Sequence, residues 1–118
     1  SYGAMMRPTL AAAEKLAEED GVQAEVIDLL SLSPLDDTLF TASARKTGRV
    51  VIVHEAHRSF GPGAEIASRI VEQSFWMLEA PIKRVTGFDI VVPLFAREQA
   101  YLPNSERVLR AARETLSV

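Results

Sequence analysis

The order of apolar and polar residues predicts helices and strands that alternate along the chain. Between residues 8 and 20, apolar side chains recur at helical spacing, and Gly21 supplies a stop. Residues 49–54 form a β-branched, apolar run, which is typical of a strand buried on both faces. The longest helix is predicted over about residues 64–79, ended by Pro81. This alternation is the pattern of a mainly parallel sheet covered by helices.

Shorter segments complete the predicted order. Residues 24–29 form a short predicted strand, residues 82–85 a third strand, and a helix runs from about residue 105 to the C-terminus. A short helix is predicted between residues 37 and 48, with Asp36 or Asp37 as its candidate N-cap. Asn104 or Ser105 is the candidate N-cap of the last helix. A chain of 118 residues fits one domain, long enough to bury roughly two-thirds of its unfolded surface.

The stretch from Phe88 to Pro103 is rich in apolar residues but follows neither the helical nor the strand period. Loops of this length in compact domains are usually functional or interfacial. Two interpretations stay open: a partner covers this surface, or the stretch is an edge strand and a loop on the domain's own core. Its candidate contact residues are Val92, Leu94 and Phe95.

Trp76 falls in the middle of the polar stripe of the predicted long helix. An exposed tryptophan among charged residues is an interface candidate, because Trp and Arg dominate binding hot spots. The alternative is a tryptophan that lies flat on its own surface. The candidate interface residues of this stripe are Arg69, Glu72, Trp76 and Glu79.

Composition narrows the classes of partner. Thirteen basic and sixteen acidic side chains give a net charge of −3, which argues against nucleic acid and anionic membranes as partners. The absence of cysteine excludes disulfides, thiolate nucleophiles and cysteine-ligated metals, and it fits a cytoplasmic protein. The longest aliphatic run, residues 50–53, is far short of the ~20 residues of a membrane-spanning helix.

Candidate chemistry is sparse. His54 and His57 form an H-x-x-H pair, but without a third metal ligand we interpret them as strand-end polar residues. Glu55 ends an apolar strand, so we expect it to be partly buried and paired with Arg49 or Arg58. No catalytic or metal-binding residue is predicted.

The Gly61-Pro62-Gly63 loop precedes a helix, so its free amides offer a weak anion-binding site. The alternative, which we favour, is a tight loop that sets the helix against the sheet. No phosphate-binding G-x-x-x-x-G-K-[ST] motif and no G-x-S-x-G motif occurs.

Nine short segments, in order, resemble one known family. They are Tyr2-Gly3, Glu25 to Leu29, Ser33 to Asp36, Lys46 to Val51, His54-Glu55, Gly61 to Ile66, Leu78 to Pro81, Arg84 to Asp89 and Tyr101 to Pro103. This order resembles the transketolase-type C-terminal domain carried by beta subunits of thiamine-dependent 2-oxo-acid dehydrogenases of the pyruvate, branched-chain or acetoin type. Residues 84–89 look closer to the branched-chain or general 2-oxo-acid type than to the mitochondrial pyruvate type.

The resemblance implies a three-layer α/β/α sandwich with a mixed, mostly parallel sheet, and it makes residues 1–118 a fragment of a longer beta subunit. It implies that thiamine diphosphate and magnesium bind between the alpha subunit and the beta subunit's N-terminal domain. The isolated domain is then expected to bind neither and to be inactive. The implied partners are the alpha subunit, a second beta subunit and the acyltransferase's peripheral-subunit-binding domain, for which Val118 would supply a docking carboxylate.

Two other hypotheses stay open. One is the C-terminal domain of a transketolase or a deoxyxylulose-phosphate synthase. This hypothesis predicts a phosphate-binding Arg or His in the domain, and residues 86–89 argue against it. The other is a stand-alone small-ligand or nucleotide-binding module that uses Gly61 to Ala64.

Overall fold

A computed structural model describes all 118 residues. The helices and strands are α1 Met6–Asp20, α2 Asp37–Thr47, β1 Val51–His57, α3 Pro62–Ser74, β2 Lys83–Gly87, α4 Glu98–Tyr101 and α5 Ser105–Leu116. Single 3₁₀ turns lie at Gly3–Met5, Phe75–Met77 and Phe95–Arg97. The predicted alternation of helices with strands is confirmed from α2 onward.

The sheet consists of β1 and β2, which run parallel. Val51 lies opposite Lys83 and Val53 opposite Val85, and an irregularity precedes the pairing of His57 with Gly87. The parallel connection that contains α3 is the usual way to join such strands, because a crossover is needed to return to the same end of the sheet.

Helices cover both faces of the sheet, which gives three layers. On one face, α1 and α5 bury an apolar cluster made of Met5, Ala12, Leu16, Val53, Val85, Val108, Leu109 and Ala111. On the other face, α2 and α3 bury a second cluster made of Phe40, Ala44, Ile52, Ile66 and Ile70. The α/β class is therefore confirmed.

Two of the predicted N-caps form as expected. The Asp36 carboxylate accepts a hydrogen bond from the amide of Thr38 at 3.0 Å, and the Asn104 side chain accepts one from the amide of Arg107 at 2.9 Å. Each satisfies an amide of the first helical turn that has no partner inside the helix.

The strand predicted over residues 24–29 does not form a ladder. Its backbone bonds lie only at one end, where Ile27 accepts from the Ser1 amine and Leu29 donates to the Ser1 carbonyl. A cleft separates this segment from β1, so no strand lies beside it. The strand predicted over residues 24–29 is therefore wrong, because a ladder needs a neighbouring strand on at least one edge.

The long helix predicted over residues 64–79 ends early, at Ser74. Ser74 leaves the helical conformation (φ −139°, ψ 12°), and its buried hydroxyl donates to the carbonyl of Thr41 in α2 at 3.4 Å. Ile66 and Ile70 of α3 are buried. Met77 would continue the helix, but the 3₁₀ turn leaves it exposed.

Candidate functional site

His54 joins the end of β1 to the start of α3. Its ring is fully buried, with Nδ1 3.1 Å from the Ala56 carbonyl and Nε2 3.0 Å from the Gly63 amide. Because an amide only donates, Nε2 accepts and the proton resides on Nδ1. The imidazole is therefore neutral, and burial lowers its pKa.

The glycine loop fits tightly on this histidine. A side chain at Gly63 would collide with the His54 imidazole, and one at Gly61 would collide with the His57 carbonyl. The Gly63 amide is used by His54, and the Ala64 amide donates to the Gly61 carbonyl at 3.0 Å. This geometry agrees with a loop that sets the helix against the sheet. The amides of Gly63 and Ala64 are therefore not free to bind the anionic groups of a nucleotide.

The remaining candidates at this strand end do not form a reactive cluster. Glu55 is exposed and forms no ion pair, so its expected burial beside Arg49 or Arg58 is wrong. Arg49 instead pairs with Glu79. No group of three or more His, Cys, Asp or Glu side chains is placed to hold a metal. The residues present do not fit a magnesium–diphosphate group.

Exposed apolar side chains gather where the loop after β1 meets the segment after β2. The Ser59 amide and hydroxyl donate to the Asp89 carboxylate at 2.9 and 2.6 Å, and His57 Nε2 lies 2.8 Å from the Ile90 carbonyl. The bonds from Ser59 hold the pKa of Asp89 below its usual range. We name as the loop surface the exposed residues of these two segments: Phe60, Phe88, Ile90, Val91, Val92, Leu94 and Phe95.

Two aromatic residues of the loop surface have strained backbones. Phe60 has φ 58° and Phe95 has φ 53°, in the left-handed region that non-glycine residues rarely adopt. Phe60 is fully exposed and Phe95 is 89% exposed. The sequence pattern indicates Phe95 as a contact residue but not Phe60, for which the only signal is its position beside the glycine loop.

The second half of the same segment packs on the domain itself. The Tyr101 ring is buried, its hydroxyl donates to the Glu55 carbonyl at 3.1 Å, and Leu102 packs against the core on the α1 side. The edge strand is wrong, because residues 88–103 form no strand, but residues 101–103 do cover the domain's own core. Residues 88–95 expose apolar surface, and a partner that covers it stays a prediction.

Trp76 lies in the 3₁₀ turn beyond α3 and is 89% exposed, with its ring edge-on to Phe75 at 5.0 Å. The charged candidates around it are engaged within the domain. Arg69 bonds Glu65 at 2.8 Å and lies 3.4 Å from Asp37 of α2, which ties the two helices together. Glu79 pairs with Arg49, and Glu72 accepts from the Ser68 hydroxyl at 3.0 Å.

Arginines cover the outer edge of β2. Arg58 donates to the carbonyl of Arg84 at 3.0 Å, and Arg107 donates to that of Thr86 at 2.7 Å. The Arg107 guanidinium also lies 4.8 Å from the centre of the Phe88 ring. Burial lowers the pKa of Arg107, and the nearby positive charge of Arg110 lowers it further.

At the C-terminus, α5 buries Val108, Leu109, Ala111 and Thr115, and Val118 extends beyond the helix with 68% of its surface exposed. Its carboxylate forms no ion pair within the domain. No helix in the structure combines the length and apolarity that crossing a bilayer requires.

The layered helices and the parallel strand pair define a three-layer α/β domain that carries exposed aromatic side chains. The chain belongs to the transketolase C-terminal domain family, whose model matches residues 1–108. It is 45% identical over 116 residues to a protein of Staphylococcus epidermidis named pyruvate dehydrogenase E1 component subunit beta, and 43% identical to that of Staphylococcus aureus.

These comparisons cover 98% of this chain but only 35% of each of those relatives, so the chain spans about a third of their length. A solved structure described as a split gene transketolase, inactive beta4 tetramer, matches with a TM-score of 0.76 at 30% identity. That match covers 98% of this chain and 36% of the other. The likeness therefore extends over the whole domain.

Proposed function

We propose that this chain is the C-terminal assembly domain of the beta subunit of a 2-oxo-acid dehydrogenase. The observation that carries the proposal is the 45% identity over 98% of the chain to a pyruvate dehydrogenase E1 beta subunit. The exposed, strained aromatics of the loop surface support it, because such side chains are characteristic of binding hot spots.

In this proposal the chemistry belongs to the parent enzyme: oxidative decarboxylation of a 2-oxo acid, with thiamine diphosphate and magnesium bound outside this domain. Pyruvate is the substrate that the named relatives favour, and the resemblance of residues 84–89 makes a branched-chain 2-oxo acid the alternative. The domain's share is contact with the alpha subunit and with a second beta subunit.

The assembly role is tested in the full-length beta subunit, produced with its alpha subunit. Replacing Phe60 and Phe95 together by serine should weaken association about thirtyfold or more, the scale of a lost hot spot. Leu39→Ser, at an exposed apolar position on α2, is the matched control. Sedimentation velocity measures the subunit composition. Unchanged association in the double variant would refute a role for the loop surface.

The isolated chain should self-associate weakly through the same surface, since its apolar side chains have no cover. Sedimentation over a range of concentrations should show dimers or small oligomers, which the double variant reduces. A clean monomer of the unaltered chain at high concentration would contradict this expectation.

Docking to the acyltransferase is the finer part of the proposal. The exposed carboxylate of Val118 is free to accept charge-assisted hydrogen bonds from a basic partner. Deleting Ser117 and Val118 from the assembled enzyme should reduce affinity for the peripheral-subunit-binding domain by about 1–3 kcal/mol. Equal affinity and equal salt dependence would exclude the carboxylate.

The split gene transketolase match favours a second candidate, the C-terminal domain of a transketolase. Assays of the assembled full-length protein separate the two. Transfer of an acyl group from pyruvate to lipoamide supports the dehydrogenase, and transfer of a two-carbon unit between sugar phosphates supports the transketolase.

A further inference from the structure

A groove of about 270 Å³ lies beside the outer edge of β2, between that strand and α5. Two contacts align its walls. Lys83 pairs with Glu114 at 2.8 Å, and the Arg107 guanidinium donates to the Thr86 carbonyl at 2.7 Å. The strand and the helix are therefore antiparallel. The groove between these contacts is ~10 Å long, at ~3.3 Å per strand residue and ~1.5 Å per helix residue.

The charge of this groove is opposite to that of the whole chain. The chain carries a net charge of −3, whereas five cations and one carboxylate line the groove, which gives it a net charge of +4. The carboxylate, Glu114, is already paired with Lys83, and this hydrogen bond lowers the pKa of Glu114. The other four cations form no ion pair within the domain; they are Arg58, Arg84, Arg107 and Arg110.

Backbone contacts hold three of these arginines in place. Arg58 and Arg84 bond reciprocally, since each guanidinium donates to the other residue's carbonyl at 3.0 Å. Arg107 is held by its bond to β2 and by the Phe88 ring, and its Nη1 is shielded from solvent without a partner. A guanidinium has five N–H donors, so Arg58 and Arg84 are fixed with donors left over. An anion in the groove would offset the repulsion between these like charges.

The shape of the groove selects among anions. The carbonyls of Arg84 and Thr86 already have donors, so a strand cannot pair with this edge and a partner must bind through its side chains. Arg107 and Arg110 are three residues apart on α5, which places them ~5–6 Å apart on one face of the helix. In an extended polypeptide, alternate side chains lie on one face at intervals of ~6.6 Å. A row of carboxylates at that spacing matches the groove better than a single phosphate does.

We propose that this groove binds an extended, acidic segment of a partner protein, whose carboxylates occupy alternate positions and bond the guanidinium groups of Arg58, Arg107 and Arg110. Bonds between arginine and a carboxylate are charge-assisted and frequently bidentate. The Lys83–Glu114 pair neutralises one end of the groove, so the carboxylates lie toward the other end. The inference goes beyond the assembly role and depends neither on the loop surface nor on the parent enzyme.

The test measures peptide binding to the assembled full-length protein that contains this domain. The probe is a fluorescently labelled peptide of eight residues in which serine and glutamate alternate, and its control has glutamine at each glutamate position. Fluorescence anisotropy should show that the glutamate peptide binds about tenfold or more tightly than the glutamine peptide, with an affinity that falls as salt rises. Equal binding of the two peptides would overturn the proposal.

Two variants place the binding in the groove. Arg110→Gln should weaken binding of the glutamate peptide about five- to tenfold, because one charge-assisted contact is lost. Its matched control is Arg7→Gln, at an exposed arginine of α1 outside the groove, which should change affinity less than about twofold. Arg110 is exposed and makes no side-chain bond within the domain, so the fold is preserved.

Glu114→Gln should act in the opposite direction and tighten binding about threefold, because it removes the one carboxylate of the groove and releases Lys83. Glu18→Gln, at an exposed carboxylate of α1, is its control. If Arg110→Gln behaves like Arg7→Gln, the peptide binds elsewhere and the proposal is wrong. Displacement of the peptide by inorganic pyrophosphate at lower concentrations than by unlabelled peptide would also overturn it, in favour of a phosphate-bearing ligand.

Discussion

The two edges of the β1–β2 pair differ in whether side chains bond to the strand backbone. On the outer edge of β2, the carbonyls of Arg84 and Thr86 accept from the guanidinium groups of Arg58 and Arg107. On the other edge, Val51 and Val53 of β1 line an apolar cleft, and no side chain bonds to the backbone of these two residues. Natural sheets protect exposed edges with long charged side chains. One edge of the pair is therefore protected by arginines, and the other is left able to pair with a strand.

The largest expected effect concerns the apolar side of the cleft. Ile70→Ala should lower the free energy of unfolding by about 2–5 kcal/mol, because Ile70 is almost fully buried and its loss enlarges a space that is already underfilled. Urea denaturation measures it. Val71→Ala, on the exposed face of the same helix, is the control and should cost about 0.5 kcal/mol or less. A loss below about 1 kcal/mol for Ile70→Ala would mean that the cleft wall is not a packed core.

The outer edge predicts a smaller effect with a different signature. Arg107→Ala removes the bond to the Thr86 carbonyl and the contact with Phe88, at a cost of about 1.5–3 kcal/mol. It also bares the edge of β2, so self-association should increase. Arg110→Ala, one turn further along α5, removes the same charge without either contact. If both variants behave alike in denaturation and in sedimentation, the arginines do not protect the edge.

The smallest expected effect is a pH dependence that arises at His54. Because burial lowers the pKa of His54 in the folded state, the unfolded chain binds the proton more readily. Above pH ~6.5, the usual pKa of histidine in an unfolded chain, His54 should not change the free energy of unfolding. As the pH falls below that value and through the lower pKa of the folded state, the free energy of unfolding should decrease. The charged groups near the imidazole are Arg84 and the Ser1 amine, and Tyr2 stacks on it.

Replacing His54 by glutamine should remove that part of the pH dependence, whereas His57→Gln, at the exposed histidine, should keep it. The measurement is the urea midpoint between pH 7.5 and 5. An unchanged slope in His54→Gln would show that the acid-sensitive group lies elsewhere.

The elements whose signals are local could be predicted from the sequence. The apolar run that contains β1 and the caps Asp36 and Asn104 could be identified because each depends on residues within one turn or one strand. The end of α3 could not, because the Ser74 hydroxyl meets the Thr41 carbonyl, 33 residues away in the chain.

The surfaces were predicted less completely for the same reason. Phe95 and Trp76 stood out as apolar residues in irregular or polar surroundings. The ion pairs of Arg69 and Glu79 and the arginine cover on β2 depend on which elements become neighbours. The absence of a ladder at residues 24–29 also escaped prediction, since these residues have the composition of a strand whether or not another strand lies beside them.

The left-handed backbone of Phe60 has a consequence for selection experiments. Glycine adopts φ 58° without steric cost, whereas a non-glycine residue there costs on the order of 1–3 kcal/mol. A library of the isolated domain selected only for thermal stability should therefore replace Phe60 early, because nothing in the free domain rewards an exposed ring. A library selected in the assembled protein should retain it if the ring has a partner. A difference between the two libraries at position 60 would separate what the fold requires from what assembly requires.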